Sequence, residues 1–183
     1  MLNQDELLPE VDETGKIVGQ AFRSVCHNGV SKTLHPVIHL HVYDKKQGLL
    51  MQKRSMSKKI QPGRWDTAVG GHVSYGEKMF DALTREVKEE IGLDVQQSDV
   101  HLISKYLFES TIERELIHCY FIFMPANGVL KISEPDDIDE LRFWPIEQIH
   151  NNLDSDVFTP NFIQEFSSIV LPYIKNNLIG YDQ

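Results

Sequence analysis

Three glutamates, Glu86, Glu89 and Glu90, have a spacing that would let them share one metal ion. On a helix, residues at i, i+3 and i+4 fall within an arc of about 100°, so the three side chains share one face. Like charges at this spacing repel each other, and a bound divalent cation would cancel the repulsion. Because hard cations prefer oxygen ligands, the pattern predicts a site for Mg²⁺ or Mn²⁺. The alternative is a solvated acidic helix face.

A cluster of positive residues lies between residues 51 and 65, a stretch that contains no acidic residue; its members are Lys53, Arg54, Lys58, Lys59 and Arg64. Arginine grips phosphate oxygens through two hydrogen bonds at once, whereas lysine acts as a point charge. The segment is therefore a candidate substrate-binding clamp for a small polyanion. A solvated loop explains the same composition equally well.

The glutamates belong to the clearest helix of the sequence, predicted from Glu77 to Ile91. Apolar residues recur along it at helical spacing, and Gly92 is well placed as its C-cap. Runs of β-branched and aromatic residues predict extended segments at 35–44, 49–54, 65–73, 100–109, 115–124 and 140–144. The predicted strands must bring the helix with the three glutamates close to the basic segment.

The remaining elements are a small N-terminal hairpin over residues 8–22, a short helix from Pro145 to Asn151 and a C-terminal helix over about 159–177. Thr159 followed by Pro160 is typical of an N-cap with proline at the first helical position. Mixed strands and few helices predict a mixed β-sheet with helices packed on its faces, an α/β fold that some schemes call α+β. One domain over residues 1–183 fits this length.

The overall composition restricts the classes of function. The 183 residues carry a net charge of -9, which argues against broad binding to nucleic acid or to anionic membranes. No apolar run reaches the length of a membrane span, and the acidic N-terminus does not resemble a targeting peptide. The two cysteines, Cys26 and Cys119, form neither a disulfide framework nor a zinc-finger spacing. A reducing, cytoplasmic location is expected.

The stretch GHVSYGEKMFDALTREVKEEIGL (71–93) fills every fixed position of a known motif, the Nudix box. The sequence therefore resembles the Nudix hydrolase superfamily, with the fold-level likeness extending over roughly residues 10–150. The resemblance implies an α/β/α sandwich and the Mg²⁺-dependent cleavage of a diphosphate bond in a nucleoside diphosphate linked to a second group.

The resemblance also implies roles for individual residues of the box. Glu86, Glu89 and Glu90 would hold the metal together with the carbonyl oxygen of Gly70, and one of the glutamates could serve as the base. Arg85 and Glu77 would brace the helix through an ion pair across two turns. These residue types suit the reaction, because clustered carboxylates with bound cations neutralise phosphate charge and activate water. The basic segment would then hold the phosphates.

A second resemblance is to the isopentenyl-diphosphate isomerase branch of the superfamily, which binds a metal through three histidines and two glutamates. The counterparts here would be His27, His35, His72, Glu113 and Glu115. The tract RSMSKKIQPGRWDT and, more faintly, PNF near the C-terminal helix also resemble that branch. However, the catalytic cysteine of the isomerase aligns with Gly70, which carries neither an acid nor a nucleophile. The intact glutamates point instead to a pyrophosphohydrolase on an isomerase-like frame.

Other functions remain open from the sequence. One is an isomerase, or a hydrolase, of prenyl diphosphates, and another is a non-catalytic ligand sensor. The substrate is not readable, and the oligomeric state is open, although homodimers are frequent in this fold.

For several other residues, a purely structural role is the alternative to a functional one. His39 and His41 share one face of a strand, as surface residues or a satisfied structural pair do. Trp65 or Tyr43 could stack on a base, but such residues more often belong to a core. The acidic run over 133–140 is expected to be an exposed loop, because it lacks the glycine and the spacing of a calcium loop.

Overall fold

The computed structural model describes residues 5–177, so the ends of the predicted 1–183 domain, residues 1–4 and 178–183, lie outside the described residues. The strands are β1 (Leu7–Val11), β2 (Ile17–Phe22), β3 (His35–Asp44), β4 (Gly48–Arg54), β5 (Trp65–Asp66), β6 (Val69–His72), β7 (His101–Glu109), β8 (Arg114–Phe123) and β9 (Ile138–Trp144). The helices are α1 (Arg23–Cys26), α2 (Met79–Ile91), α3 (Ile146–Asn151), α4 (Pro160–Glu165) and α5 (Leu171–Asn177).

A seven-stranded mixed sheet forms the centre of the described chain, in the order β5-β4-β3-β8-β7, with β6 paired to β3 and β9 paired to β4. β3 and β8 run parallel, and their register places His35 opposite Glu115. The other pairs of this sheet are antiparallel. β1 and β2 form a separate two-stranded hairpin. The predicted mixed sheet is confirmed.

Alternation along β3 assigns its side chains to two different layers, because successive strand residues point to opposite faces. Ile38, Leu40 and Val42 pack against the apolar stripe of α2. On the opposite face, Phe121 of the neighbouring strand β8 packs against the C-terminal helices, through residues such as Phe166. The sheet is therefore covered by helices on both faces.

The helix that carries the glutamates begins two residues later than the sequence predicts. Glu77 lies in a turn in which its backbone N–H donates to the Ser74 carbonyl oxygen at 2.9 Å, and Lys78 is the extended N-cap of α2. Gly92 ends the helix in the left-handed conformation, with φ of 73°, as the sequence predicts.

The C-terminal helical segment starts with a cap that the sequence also predicts. The Thr159 hydroxyl accepts a hydrogen bond from the Phe162 backbone N–H, and Pro160 occupies the first turn. α4 continues through a π-helical turn, Phe166–Val170, into α5. This segment places Glu165 under the central sheet, where it is fully buried. Across residues 5–177, every helix is too short or too polar to cross a membrane.

Candidate active site

A polar cavity of about 620 Å³ opens where β3, β6 and α2 meet the start of α4. Glu86, Glu89 and Glu90 of α2 line it, together with Gly70 and Gly71 of β6. The Gly70 backbone N–H donates to Glu90 Oε2 at 3.2 Å, and a Cβ atom at Gly71 would overlap the carboxylate of Glu86. The glycine pair therefore lets α2 press two of its glutamates against the strand.

Arg85 fixes the direction of the neighbouring side chains. Its Nε and Nη2 donate to the two carboxylate oxygens of Glu77, each at 2.9 Å, and Nη2 also donates to the His72 carbonyl oxygen at 3.0 Å. Its Nη1 donates to Glu86 at 2.8 Å and to Glu89 at 3.1 Å. The hydrogen bonds from Arg85 lower the pKa of Glu77. The ion pair that the sequence suggested between Arg85 and Glu77 is present, and the hydrogen bond to His72 ties α2 to β6.

Burial disfavours the ionised forms of two carboxyl groups of α2. Burial raises the pKa of Glu86 to about 7, although Arg85 opposes the change. Burial, reinforced by the charge of Glu86, raises the pKa of Glu90 well above its ordinary value, although Gly70 and Gln52 donate hydrogen bonds to it. A divalent cation between such oxygens would stabilise their ionised forms, so this donor set fits a hard metal ion.

The three glutamates do not converge on one point in this conformation. Arg85 lies between Glu86 and Glu89, whereas Glu90 turns towards Gly70. The compact donor groups, with ligand atoms all within 4.8 Å, lie elsewhere among residues 5–177. One consists of His27, His35, His72 and Glu115, and the other of His41, Cys119 and Glu165.

The first of these groups has the hydrogen bonds that metal-binding histidines need. His27 Nδ1 lies 2.9 Å from the Arg23 carbonyl oxygen, and His35 Nδ1 lies 2.8 Å from that of Thr33. Because a carbonyl oxygen only accepts, both Nδ1 atoms carry hydrogen, which leaves the Nε2 lone pairs of the neutral rings free. His35 Nε2 is buried and has no hydrogen-bond partner in the described chain. A cation would satisfy it.

Two glutamates complete this histidine group. His27 Nε2 lies 3.2 Å from His72 Nε2 and 3.3 Å from the Glu113 carboxylate. Glu115 lies 3.9 Å from both His27 and His35. Burial raises the pKa of Glu113, as does the charge of Glu115, and burial lowers the pKa of His72. The five side chains that the isomerase resemblance singled out are therefore neighbours in space.

Only two of the five expected clamp residues line the cavity. Gln52 and Arg54 alternate along β4 and face the cavity, so Lys53 between them points away from it. Lys58 also lines the cavity and pairs with Asp137 at 2.6 Å. Arg54 donates to the Ile60 carbonyl oxygen at 3.1 and 3.2 Å.

Arg64 and Lys59 take other positions. The Arg64 guanidinium donates to Asp156 at 2.9 Å and to the Phe158 carbonyl oxygen at 3.1 Å, so it anchors the segment before α4. Lys59 is exposed and lies outside the cavity lining. Arg54 and Lys58 of the expected clamp therefore line the cavity, whereas strand alternation turns Lys53 away and the contacts with Asp156 and Phe158 hold Arg64 elsewhere.

Some cavity residues were not found from the sequence. Arg23 lines the cavity, is about half exposed, and pairs with Glu6 at 3.4 Å. Glu134 and Asp137 of the acidic loop line it as well. Arg23 is the first residue of the short helix α1 and belongs to no cluster of charged residues in the sequence, so no spacing pattern marks it. The acidic loop was visible as a run of charges.

The aromatic residues considered for base stacking have other roles. Trp65 is buried, lies edge-to-face with Trp144 at 5.4 Å, and is covered by the Arg142 guanidinium at 4.5 Å. Tyr43 packs beside Phe121. Neither Trp65 nor Tyr43 lines the cavity, so the structural alternative holds for both.

A cavity bordered by carboxylates and by cations, beside a sheet with helices on both faces, suits the hydrolysis of phosphate anhydrides, because the carboxylates could hold the metal ions that neutralise phosphate charge. The family model described as NUDIX domain matches residues 33–166, and the chain belongs to the Nudix family. Enzymes of this family use divalent metal ions and act on small phosphorylated substrates, and this chain is a hydrolase of diphosphate bonds.

Relatives and solved structures agree with this assignment. The chain is 26% identical to an isopentenyl-diphosphate Delta-isomerase of Corynebacterium efficiens, over 91% of this chain and 92% of that protein. It is 30% identical to an uncharacterized Nudix hydrolase of Listeria innocua, over 70% of this chain and 74% of that protein. The fold is similar to that of DR0079 from Deinococcus radiodurans, with a TM-score of 0.68 at 21% identity, over 87% and 96% of the two chains. The predicted resemblance to the isomerase-like branch is thereby confirmed.

Proposed function

We propose that this protein is a Mg²⁺- or Mn²⁺-dependent pyrophosphohydrolase that cleaves the diphosphate bond of a nucleoside diphosphate linked to a second group, or of a similar small compound. The observation that carries the proposal is the contact of Glu86 and Glu90 with the Gly70–Gly71 pair at the cavity wall. These two carboxylates are half-buried and face the cavity, where a metal–diphosphate complex would have room.

The metal would be held by Glu86, Glu89 and Glu90, with the Gly70 carbonyl oxygen as a backbone ligand. When bound, it would neutralise phosphate charge and lower the pKa of a water molecule. Arg85 holds Glu86 and Glu89 in place through its Nη1.

The phosphate groups would be bound by the cations at the cavity mouth. Arg54 and Lys58 are both partly exposed and both line the cavity. Arg54 lies 3.7 Å from Asp66, and Lys58 lies 2.6 Å from Asp137. A bound phosphate would have to compete with these carboxylates for the two cations. Binding a diphosphate there would be weakened by salt, because the groups are accessible to solvent.

A second metal is proposed for the cluster of His27, His35, His72, Glu113 and Glu115. The orphaned Nε2 of buried His35 and the outward Nδ1 bonds of His27 and His35 support it. Imidazole nitrogen suits Zn²⁺ or Fe²⁺, whereas Mg²⁺ and Mn²⁺ prefer oxygen ligands, so this ion need not be the one on α2.

The same cluster favours a second candidate function, an isomerase or hydrolase of prenyl diphosphates. It has the residue types of the isomerase metal site, and several relatives are named isopentenyl-diphosphate isomerases. Against isomerisation, Gly70 supplies no acid at the position of the isomerase cysteine. Incubating the protein with isopentenyl diphosphate and following double-bond migration separates the two activities. A ligand sensor is disfavoured by the complete set of glutamates.

The main test is a screen for hydrolysis products, separated by anion-exchange chromatography, over nucleotide sugars, dinucleoside polyphosphates, nucleoside triphosphates and prenyl diphosphates, with Mg²⁺ and Mn²⁺ compared. We expect turnover of at least one compound, and its loss in Glu89→Gln and Glu90→Gln with the fold retained by circular dichroism. Glu147→Gln is the control, because Glu147 is an exposed residue of α3 far from the cavity lining. Full turnover in both active-site variants would overturn the assignment of these carboxylates.

A further inference from the structure

Buried Glu165 at the end of α4 holds two histidines of β3. It accepts a hydrogen bond from His39 Nδ1 at 3.0 Å, another from His41 Nε2 and a third from the Tyr106 hydroxyl at 2.6 Å. The Glu165 side chain is completely inaccessible to solvent. Three donors on one buried carboxylate fix both imidazole rings, since any displacement would leave a buried charge unpaired.

The two histidines differ in what their second ring nitrogen faces. His41 lies outside the cavity lining, and its Nδ1 is buried without a hydrogen-bond partner among the described residues. His39 lines the cavity, and its side chain is 10% exposed. Within residues 5–177 its Nε2 has no hydrogen-bond partner and is not closed off from the cavity. His39 is thus a buried side chain with one free polar atom directed at the site.

The position of this free nitrogen connects it to the glutamates of α2. His39 and Gly70 are paired across β3 and β6, and Nε2 lies 3.7 Å from the place where a Cβ atom of Gly70 would stand. The N–H of the same glycine donates to Glu90. Both Glu90 and His39 line the cavity, and Gly70 contacts each of them, so one ligand bound beside Gly70 could reach both side chains.

We propose that His39 binds the substrate, with the Nε2–H of its imidazolium ring donating a hydrogen bond to a phosphate oxygen, and that Glu165 is the positioning residue for this contact. The inference rests on the proposed function, because it places the diphosphate beside Gly70. Nε2 is the atom available, since Nδ1 is occupied by Glu165. The hydrogen bond from His39 would add a contact to the diphosphate from the face of β3 that lies opposite α2.

Two matched substitutions test the contact. His39→Asn keeps an amide donor at the Nδ1 position for Glu165 but removes Nε2, and His41→Gln keeps the donor at the Nε2 position that His41 uses. The probe is methylenediphosphonate with Mg²⁺, titrated by calorimetry. We expect the affinity to fall roughly tenfold in His39→Asn, the size of one hydrogen bond to a charged group, and to stay within about twofold in His41→Gln.

The role of Glu165 is tested by non-additivity. Glu165→Gln should weaken probe binding, and combining it with His39→Asn should weaken it no further, because Glu165 acts through His39. A purely structural role would instead give additive losses, together with equal effects of the two histidine variants. If a variant does not fold, the ¹⁵N resonance of His39 Nε2 in the wild-type protein must still shift when the probe is added.

The outcomes separate this inference from the proposed function. If the wild-type protein hydrolyses a diphosphate compound and binds the probe, but His39→Asn binds it equally well, only the role of His39 is overturned. An unshifted His39 resonance in the presence of bound probe has the same meaning. If the wild-type protein neither binds the probe nor hydrolyses any compound of the screen, both proposals fall.

Discussion

Glu86 fills the space that a side chain on Gly71 would need. A Cβ atom there would overlap Cγ and Cδ of Glu86, so α2 can lie this close to β6 only because residue 71 has no side chain. We expect Gly71→Ala to push the carboxylate aside, to destabilise the fold by about 1–3 kcal/mol, and to lower turnover about a hundredfold. Steady-state kinetics and urea unfolding measure the two effects.

The matched control for that substitution is Gly76→Ala. Gly76 has φ of 85° but nothing within 4 Å of its Cβ position, so alanine there meets backbone strain alone. It should destabilise the protein by about 1 kcal/mol and leave turnover intact. Equal turnover in the two variants would show that the overlap at Gly71 does not matter for the reaction.

Arg85 should not be replaceable by lysine. Its fork contacts both oxygens of Glu77 while Nη1 holds Glu86 and Glu89, a geometry that a single ammonium cannot reproduce. We expect Arg85→Lys to lower the free energy of unfolding by about 2 kcal/mol and to reduce turnover. Lys88→Ala, at an exposed pair with Asp94, should change stability by less than about 1 kcal/mol. Indistinguishable unfolding curves for wild type and Arg85→Lys would contradict this account.

The pair of His39 and Glu165 should make stability depend on pH. Burial alone would lower the pKa of His39, but the Glu165 carboxylate raises it from 6.5 to about 9. The pKa of His39 is higher in the folded than in the unfolded protein, so its pairing with Glu165 stabilises the fold. This stabilisation is fully present below pH 6.5 and is lost as the pH rises through about 9. The advantage of wild type over Glu165→Gln should therefore shrink by on the order of 2–3 kcal/mol between about pH 6 and pH 10.

Urea unfolding of wild type and Glu165→Gln at about pH 6 and about pH 10 tests this loss of stability. On the acid side, the paired histidines lower the pKa of Glu165 below its ordinary 4.5, so that its contribution is present above 4.5 and is lost only in stronger acid. An advantage that stays constant or grows towards alkaline pH would mean that the histidine is not charged in the folded protein.

The two candidate metal sites should respond to different ions. We expect Mg²⁺ to raise the melting temperature of the wild-type protein but not of Glu90→Gln, with about 2.7 kcal/mol gained at a hundredfold excess over Kd. His35→Gln should keep that response and lose the additional effect of Zn²⁺. His101→Gln is the control, because His101 is exposed. Loss of the Mg²⁺ response in His35→Gln would show that the two clusters form one site.

Features that depend on local sequence were predictable. The end of α2 at Gly92 and the start of α4 at Thr159 follow from capping chemistry within a few residues. The strand at 35–44 was predicted because its β-branched and aromatic residues are contiguous. The glutamates of α2 were recognised because their spacing places all three on one face of a single helix.

Features that depend on distant contacts were not predictable. Arg64 looked like part of a phosphate clamp, but Asp156 and the Phe158 carbonyl draw it away from the cavity. His39 and His41 were recognised as a pair sharing a strand face, yet nothing in the sequence identified Glu165 as their partner. Periodicity reports the face on which a residue lies, but it does not report which remote segment covers that face.

Glu165 and the histidines it holds are separated by more than 120 residues of chain. On the ribosome, His39 and His41 therefore emerge long before the carboxylate that compensates them has been translated. In a nascent chain β3 can pair with β4 early, but His39 and His41 cannot contact Glu165 until α4 has left the exit tunnel. The packing around His39 and His41 can consequently be completed only late in the synthesis of the polypeptide.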